Sequence, residues 1–410
     1  MSKAVNKHAW AFSPRFRRGA FGWRSEPAIT RIKEALTEIK AFNRKEPILA
    51  GEGAVLFLSK LSPALENIDS SSGAIGSAVN RAIEALVPII AKAPADLATR
   101  RKWLEQLYQA HADDQIPYIE SLGDYWGELC ADAALAGEWG DRLAETVEMV
   151  WGRYPAEHGF FHANSICLSA LLGAGRHDQL LALVDKCPYQ SWTYRQWGVK
   201  ALVVMGQKFE ALRYAEATQG LNEPLGRIAE ACEAILLSSG LADEAYQRCA
   251  LAANRASTYL ATFRAICRKY PHMQPADILN DLVASTPGEE GKWFAAAKDA
   301  KLYDLALTLA QRSPVDHRTL IRSAEEFATP EPHFALNSGL LALYWICAGR
   351  AYEASVGDVL KAYDLTLRAA DLAHGREPAL KQIRQMLEGF PQERFVRSAL
   401  ANANELRCDG

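Results

Sequence analysis

One short phrase returns five times along the back two-thirds of this chain. It reads Gly175-Arg-His-Asp-Gln-Leu180, Gly206-Gln-Lys-Phe-Glu-Ala211, Gly240-Leu-Ala-Asp-Glu-Ala245, Ala300-Lys-Leu-Tyr-Asp-Leu305 and Gly349-Arg-Ala-Tyr-Glu-Ala354. Each copy follows an apolar helical stretch and is expected to open another. A small residue that permits a tight turn, then polar residues, then an acid beside a small apolar residue, suits the handover between two helices of a hairpin. Successive copies begin 31, 34, 60 and 49 residues apart. The first two spacings fit a helix-hairpin repeat of about 34 residues, and the third leaves room for a degenerate unit. A lone hairpin cannot bury its apolar face, so such units stack.

The periodicity elsewhere agrees. Ser25-Glu-Pro-Ala reads as a helix start with Ser25 as N-cap. Ile29, Ile32, Leu36, Ile39 and Phe42 then form a stripe at steps of three and four, in a helix ending near Lys45. Glu46-Pro47 opens a second helix to about Leu61. Asp69-Ser-Ser-Ser72 is placed to cap a third, and Pro94-Ala-Asp96 to start a fourth. No alternating strand-like segment is bounded by hairpin turns. The expected fold is all-α: a right-handed α-solenoid of nine to eleven helix pairs, HEAT-like over residues 25–155 and tetratricopeptide-like over 156–400. A frayed tail at 401–410 completes it.

Composition narrows the function classes. The 410 residues carry a formal charge of −3, which provides no global drive toward nucleic acid or anionic membrane. The asymmetry is local: residues 1–45 hold eleven Lys/Arg against three Glu, on an otherwise acidic body. Eight cysteines form no Cys-x-x-Cys pair, and most sit in apolar helical runs, as reduced core residues of a cytoplasmic protein would. The opening Met1–Trp10 lacks the apolar segment of an export signal, and no uninterrupted apolar run approaches a membrane span.

Several stretches together resemble a known family: Arg15-Phe-Arg-Arg18 with Phe21-Gly-Trp23, Gly51-Glu-Gly-Ala-Val-Leu-Phe-Leu58, Asp69-Ser-Ser-Ser-Gly-Ala-Ile-Gly76, Gly198-Val-Lys-Ala201, Leu237–Ala245 and Ser285–Ala296. They resemble a bacterial family of tetratricopeptide-like α-solenoids of unknown function. The resemblance covers nearly the whole chain. It implies fold and bacterial origin, and it brings no activity and no catalytic residue. Members of that sequence type also stand beside SWIM-type zinc modules, whose Cys-x-Cys and Cys-x-His pairs this chain lacks.

No constellation demands enzymatic chemistry. Gly288-Glu-Glu-Gly-Lys-Trp293 is too short for a phosphate loop, carries two acids and has no preceding strand. It reads instead as a helix start with Thr286 as cap. His158 and His162 stand four apart, but a metal site needs a third ligand. The acids Asp113, Asp114, Glu120, Asp124 and Glu128 read as a solvated face. No cofactor and no catalytic residue is assigned.

The basic, aromatic arm at residues 1–24 is the main recognition candidate. Arg15, Arg17, Arg18, Trp23 and Arg24 interleave cations with aromatic rings, and Phe16 and Phe21 lie between them. Such a mixture suits an acidic protein groove or nucleic acid. It equally suits a cap in which Phe16, Phe21 and Trp23 fold back on the first hairpin. Tyr194 and Trp197, like the other repeat aromatics, read mostly as core, and are kept as candidates for the few that line the concave surface. The leading expectation is a non-enzymatic scaffold binding a protein or peptide, with nucleic-acid binding through the arm as the alternative and no membrane partner.

Overall fold

The structure is a computed structural model that describes residues 8–152, 161–188, 190–218 and 224–401. Among the described residues every regular element is helical and no strand occurs. The chain divides into two compact units, Met1–Pro224 and Leu225–Gly410. The first contains α1 (Ser25–Asn43), α2 (Pro47–Leu65), α3 (Ala74–Lys92), α4 (Leu97–Ala112), α5 (Trp126–Cys130), α6 (Ala133–Gly152), α7 (Asn164–Gly173), α8 (His177–Asp185), α9 (Trp192–Val204) and α10 (Lys208–Glu216). The second contains α11 (Leu225–Ser238), α12 (Ala242–Ala253), α13 (Tyr259–Lys269), α14 (Pro275–Ala284), α15 (Phe294–Asp299), α16 (Tyr303–Arg312), α17 (His317–Phe327), α18 (Pro332–Cys347), α19 (Val356–Leu372), α20 (Arg376–Gly389) and α21 (Arg394–Leu400). Within each unit, extensive packing joins only elements close together in the chain. The change of repeat style expected near residue 155 lies inside the first unit, where α6 and α7 pack against each other.

The recurring phrase has a definite geometry. Gly175 adopts φ +72°. Its N–H donates to the Leu172 carbonyl at 3.1 Å, and the N–H of Arg176 donates to the Leu171 carbonyl at 3.0 Å. This is a Schellman ending, which satisfies orphan carbonyls of the closing helix. The same two bonds recur at Gly206, Gly240, Lys301, Gly349 and His374, all with positive φ. At five of these six turns the next helix starts two residues later. Two expectations shift. In the fourth copy the left-handed residue is Lys301, not Ala300, because the short α15 runs to Asp299 before turning. The fifth copy does not open a helix directly. Glu353 takes a second positive φ, and α19 starts only at Val356, on a capping box of Ser355 and Asp358.

Other helix starts differ from the sequence reading for local reasons. Ser25 is already helical, with extended Arg24 before it, and α1 ends at Asn43. α2 continues through Pro63 to Leu65. A proline in the last turn forgoes one hydrogen bond, and the carbonyl of Pro63 gains one from Gly19 N–H at 2.9 Å. Asp69 accepts from Ser71 N–H at 2.9 Å and Ser72 Oγ from Ala74 N–H at 3.4 Å at the start of α3, while Gly73, at φ +68°, holds the N-cap position itself. Asp96 does cap α4, accepting from Thr99 N–H at 2.7 Å. Thr286 is no helix cap. Its hydroxyl accepts from the Trp293 indole at 2.8 Å after α14 has ended.

α2 and α3 are each long and apolar enough to cross a membrane by length and composition, at mean hydropathy 1.4. Counting uninterrupted apolar runs overlooks them, since Gly, Ser and Pro interrupt the run at little cost in hydropathy. Here their apolar windows are 61% and 50% buried against the rest of the protein.

Each unit encloses one ionic keystone. In the first, Arg100 is 5% exposed, and among the described residues no carboxylate pairs with its guanidinium. It donates to the carbonyls of Ile90 at 3.0 Å, Ala91 at 3.3 Å and Ala93 at 2.7 Å, closing α3, and to Leu129 at 3.1 Å in α5. A cation at these carbonyl ends also meets the negative end of the helix dipole. In the second, Glu233 is 1% exposed on α11. It accepts from Asn254 Nδ2 at 2.7 Å, Lys269 Nζ at 2.5 Å and the Tyr270 hydroxyl at 2.6 Å. The seven described cysteines are thiols outside any disulfide, and six of them are buried.

Candidate functional site

Two glycines on α2 shape one wall of a groove in the first unit. A Cβ on Gly53 would stand 2.3 Å from the Trp10 ring, and one on Gly51 would stand 2.7 Å from the Trp103 ring. The two indoles therefore dock directly on the α2 backbone, Trp10 from the arm and Trp103 from α4. Both are nearly buried.

The described part of the arm, from His8, is a strap laid along α2. Ala11 and Phe12 N–H donate to the Glu38 carboxylate at 2.7 and 3.1 Å. Lys60 Nζ donates to the Ser13 carbonyl at 3.3 Å. Gly19 N–H reaches Pro63, and Asp69 N–H donates to the Trp23 carbonyl at 3.0 Å. Phe12 and Phe16 are buried edge-on against Phe57, with centroids 5.4 and 5.0 Å away. Fully burying a Phe contributes roughly 1.5–3 kcal/mol, so these rings anchor the strap.

Between the strap, α2 and α4 runs a half-open groove of about 1760 Å³. Its floor carries Leu49, Val55, Leu56 and Trp103, and its rims carry Glu46, Glu52, Arg17, Lys60 and Lys102. A shallower cavity of about 620 Å³ continues along α4 past Gln109 to Asp113, sharing Lys102 and Gln106 with the first. Gln106 donates to Ser59 Oγ at 3.1 Å, crossing from α4 to α2. Arg17, Lys102, Glu46 and Glu52 form no ion pair with described residues.

The structure scatters the residues singled out in the sequence. Arg15 pairs with Glu34 at 2.7 Å, and Arg18 stands 3.8 Å from Glu66. Arg17 alone of this set lines the groove. Trp23 is 72% exposed and does not close over the hairpin, unlike Phe16. Arg24 is exposed at the start of α1. Tyr194 and Trp197 both lie on α9, away from the groove. Tyr194 packs edge-on against Trp151 at 5.4 Å. Trp197 is 1% exposed, so it belongs to the core and offers no surface to a ligand. The groove residues Glu52, Lys60, Lys102 and Trp103 escaped notice because each occupies an ordinary position on an amphipathic helix. The available signal was Gly51-x-Gly53, two glycines in a helix where Ala would raise helix propensity.

The remaining clusters are structural. His158 lies outside the described residues. The His162 ring lies 5.8 Å from that of His111, which is 4% exposed with Nε2 3.2 Å from the Glu120 carbonyl. Burial holds both imidazoles below their ordinary range. Among the described residues no group of three His, Cys, Asp or Glu stands ready for a metal. The acidic stretch is not a uniformly solvated face. Asp114 turns inward, accepting from the Ser62 hydroxyl and from Ile119 N–H at 2.7 Å. Burial pushes its carboxyl above the ordinary range despite those bonds. In the glycine-rich loop, Gly291 N–H donates to Ser313 Oγ at 2.7 Å, and a Cβ there would stand 2.2 Å from the Ser313 carbonyl. That loop is a packing contact.

No family model, curated protein or solved structure matches this chain.

Proposed function

We propose that the protein is a non-enzymatic, cytoplasmic scaffold that holds an extended segment of a partner protein in the groove between the strap, α2 and α4. In this reading the helices form a right-handed α-solenoid of stacked hairpins, HEAT-like in front and tetratricopeptide-like behind. The neighbour-only packing within each unit supports the stacking. The groove itself carries the functional reading. It is about 1760 Å³, mixed apolar and ionic, and open along its length, which suits a chain segment. Two of the arm's arginines already face Glu34 and Glu66, which weakens the case for a phosphate-binding arm.

Affinity capture from native lysate, with and without nuclease, tests this reading when the wild type is compared with Gln106→Trp. Gln106 is exposed and shared by both cavities, so an indole there fills the floor. The expected result is a stoichiometric protein partner that survives nuclease and is lost from Gln106→Trp. A partner set that collapses with nuclease refutes the scaffold in favour of nucleic acid. A protein partner indifferent to Gln106→Trp refutes the groove as its seat.

A further inference from the structure

We propose that the occupant of this groove is a bipolar extended segment, with one acidic and one basic side chain three to four residues apart. The inference rests on the groove being a protein-binding surface and specifies the partner's chemistry. The strap and α2 run in the same direction. Trp10 lies at Gly53, Ser13 is held by Lys60, and Gly19 is held by Pro63. Arg17 therefore belongs to the Lys60 end of the groove, and Glu46 and Glu52 occupy the other end. Lys102 faces them from α4 where the two cavities meet.

The charges are thus sorted along an axis, and most are not neutralised by the protein itself. Lys60 gives its ammonium only a backbone carbonyl, and Arg17, Lys102, Glu46 and Glu52 have no ion-pair partner among the described residues. Surface ions of opposite sign normally interleave and pair. Here Glu46 and Glu52 are instead kept apart from Lys60 and Arg17, with an apolar floor between them. Eight residues separate Glu52 from Lys60, which along a helix is about 12 Å. An extended chain advances about 3.3 Å per residue, so matching charges on the occupant fall three to four residues apart. The basic side chain meets Glu52 and Glu46, and the acidic one meets Lys60 and Arg17.

Fluorescence anisotropy at low ionic strength tests this with labelled eleven-residue peptides of one composition, an Ala/Ser/Val background with one Lys and one Glu. The pair is set adjacent, four apart or eight apart, in both orders. Two partly exposed ion pairs make the four-apart peptide bind about three- to tenfold more tightly than the adjacent one, in one of the two orders. The double variant Glu52→Lys with Lys60→Glu reverses the preferred order. Circular dichroism confirms that the helices persist. Binding that is lost in Gln106→Trp yet insensitive to charge spacing and to the swap overturns the bipolar occupant and leaves the groove reading standing. No binding by any peptide, with a captured partner still sensitive to Gln106→Trp, also overturns it. Failure of both experiments removes the groove altogether.

Discussion

Replacing Arg100 by Met removes donors from four carbonyls at once. Ile90 and Ala93 keep backbone bonds from Ala93 N–H at 3.4 Å and Ala95 N–H at 2.8 Å, whereas Ala91 in α3 and Leu129 in α5 are left without another donor among the described residues. An abandoned buried acceptor costs about 1–3 kcal/mol. The opposing effect is relief of a desolvated charge. Burial already draws the guanidinium's pKa below its ordinary value, and no carboxylate compensates. Such relief can make an apolar replacement neutral when the whole ionic group is exchanged, but here two acceptors remain without a donor. Acceptor loss should win, by about 2–3 kcal/mol. Arg100→Lys keeps the charge but lacks the planar fork that reaches two helix ends, so about half that loss is expected. Urea unfolding followed by intrinsic fluorescence measures this well, because eight of the ten tryptophans precede residue 200. The order of stability should be wild type, Lys, Met. A Met variant as stable as wild type would refute the reasoning, since the carbonyls would then have found other partners.

Lys301→Gly should raise stability by about 1 kcal/mol in thermal or urea unfolding, because Lys301 holds φ +58° where glycine is unstrained. Glu233→Gln should cost about 2–4 kcal/mol by the same assay, since it leaves Lys269 without its counter-ion and misaligns the bonds from Asn254 and Tyr270. Gly53→Ala should destabilise by about 1–3 kcal/mol although Ala favours helix, because the new methyl displaces Trp10; faster proteolysis of the strap is the readout. For pH, the depressed pKa values of His111 and His162 mean that the unfolded chain binds more protons just below about pH 6.5. Their contribution is therefore complete above that pH and is lost as pH falls, at up to about 1.4 kcal/mol per unit for each group. His111→Gln should flatten the slope of the urea midpoint between about pH 7 and 5. Asp114, raised by burial, acts in the opposite sense.

The helical hairpins were legible where chemistry leaves few alternatives. A left-handed helix ending favours glycine, so Gly175, Gly206 and Gly240 mark their turns in the letters alone. His374 holds the same geometry beside Gly375, which does not, so a search for glycine misplaces that turn by one residue. The groove was harder to read for a different reason. Gly51 and Gly53 are visible, but their meaning depends on an indole forty residues upstream and another fifty downstream. Glu52, Lys60 and Lys102 look like any solvated helix positions until three elements bring them to one cavity. Asp114 was misread because an acid in a polar run gives no sign that Ser62 and Ile119 N–H await it.

Neighbour-only packing has a mechanical consequence. In each unit, no extensive contact links elements far apart in the chain, so little loop entropy must be spent before native contacts form. Each unit should fold quickly for its length. Pulled from its ends, it should yield one hairpin at a time in a run of small force steps, because no extensive contact among the described residues locks the first hairpin to the last.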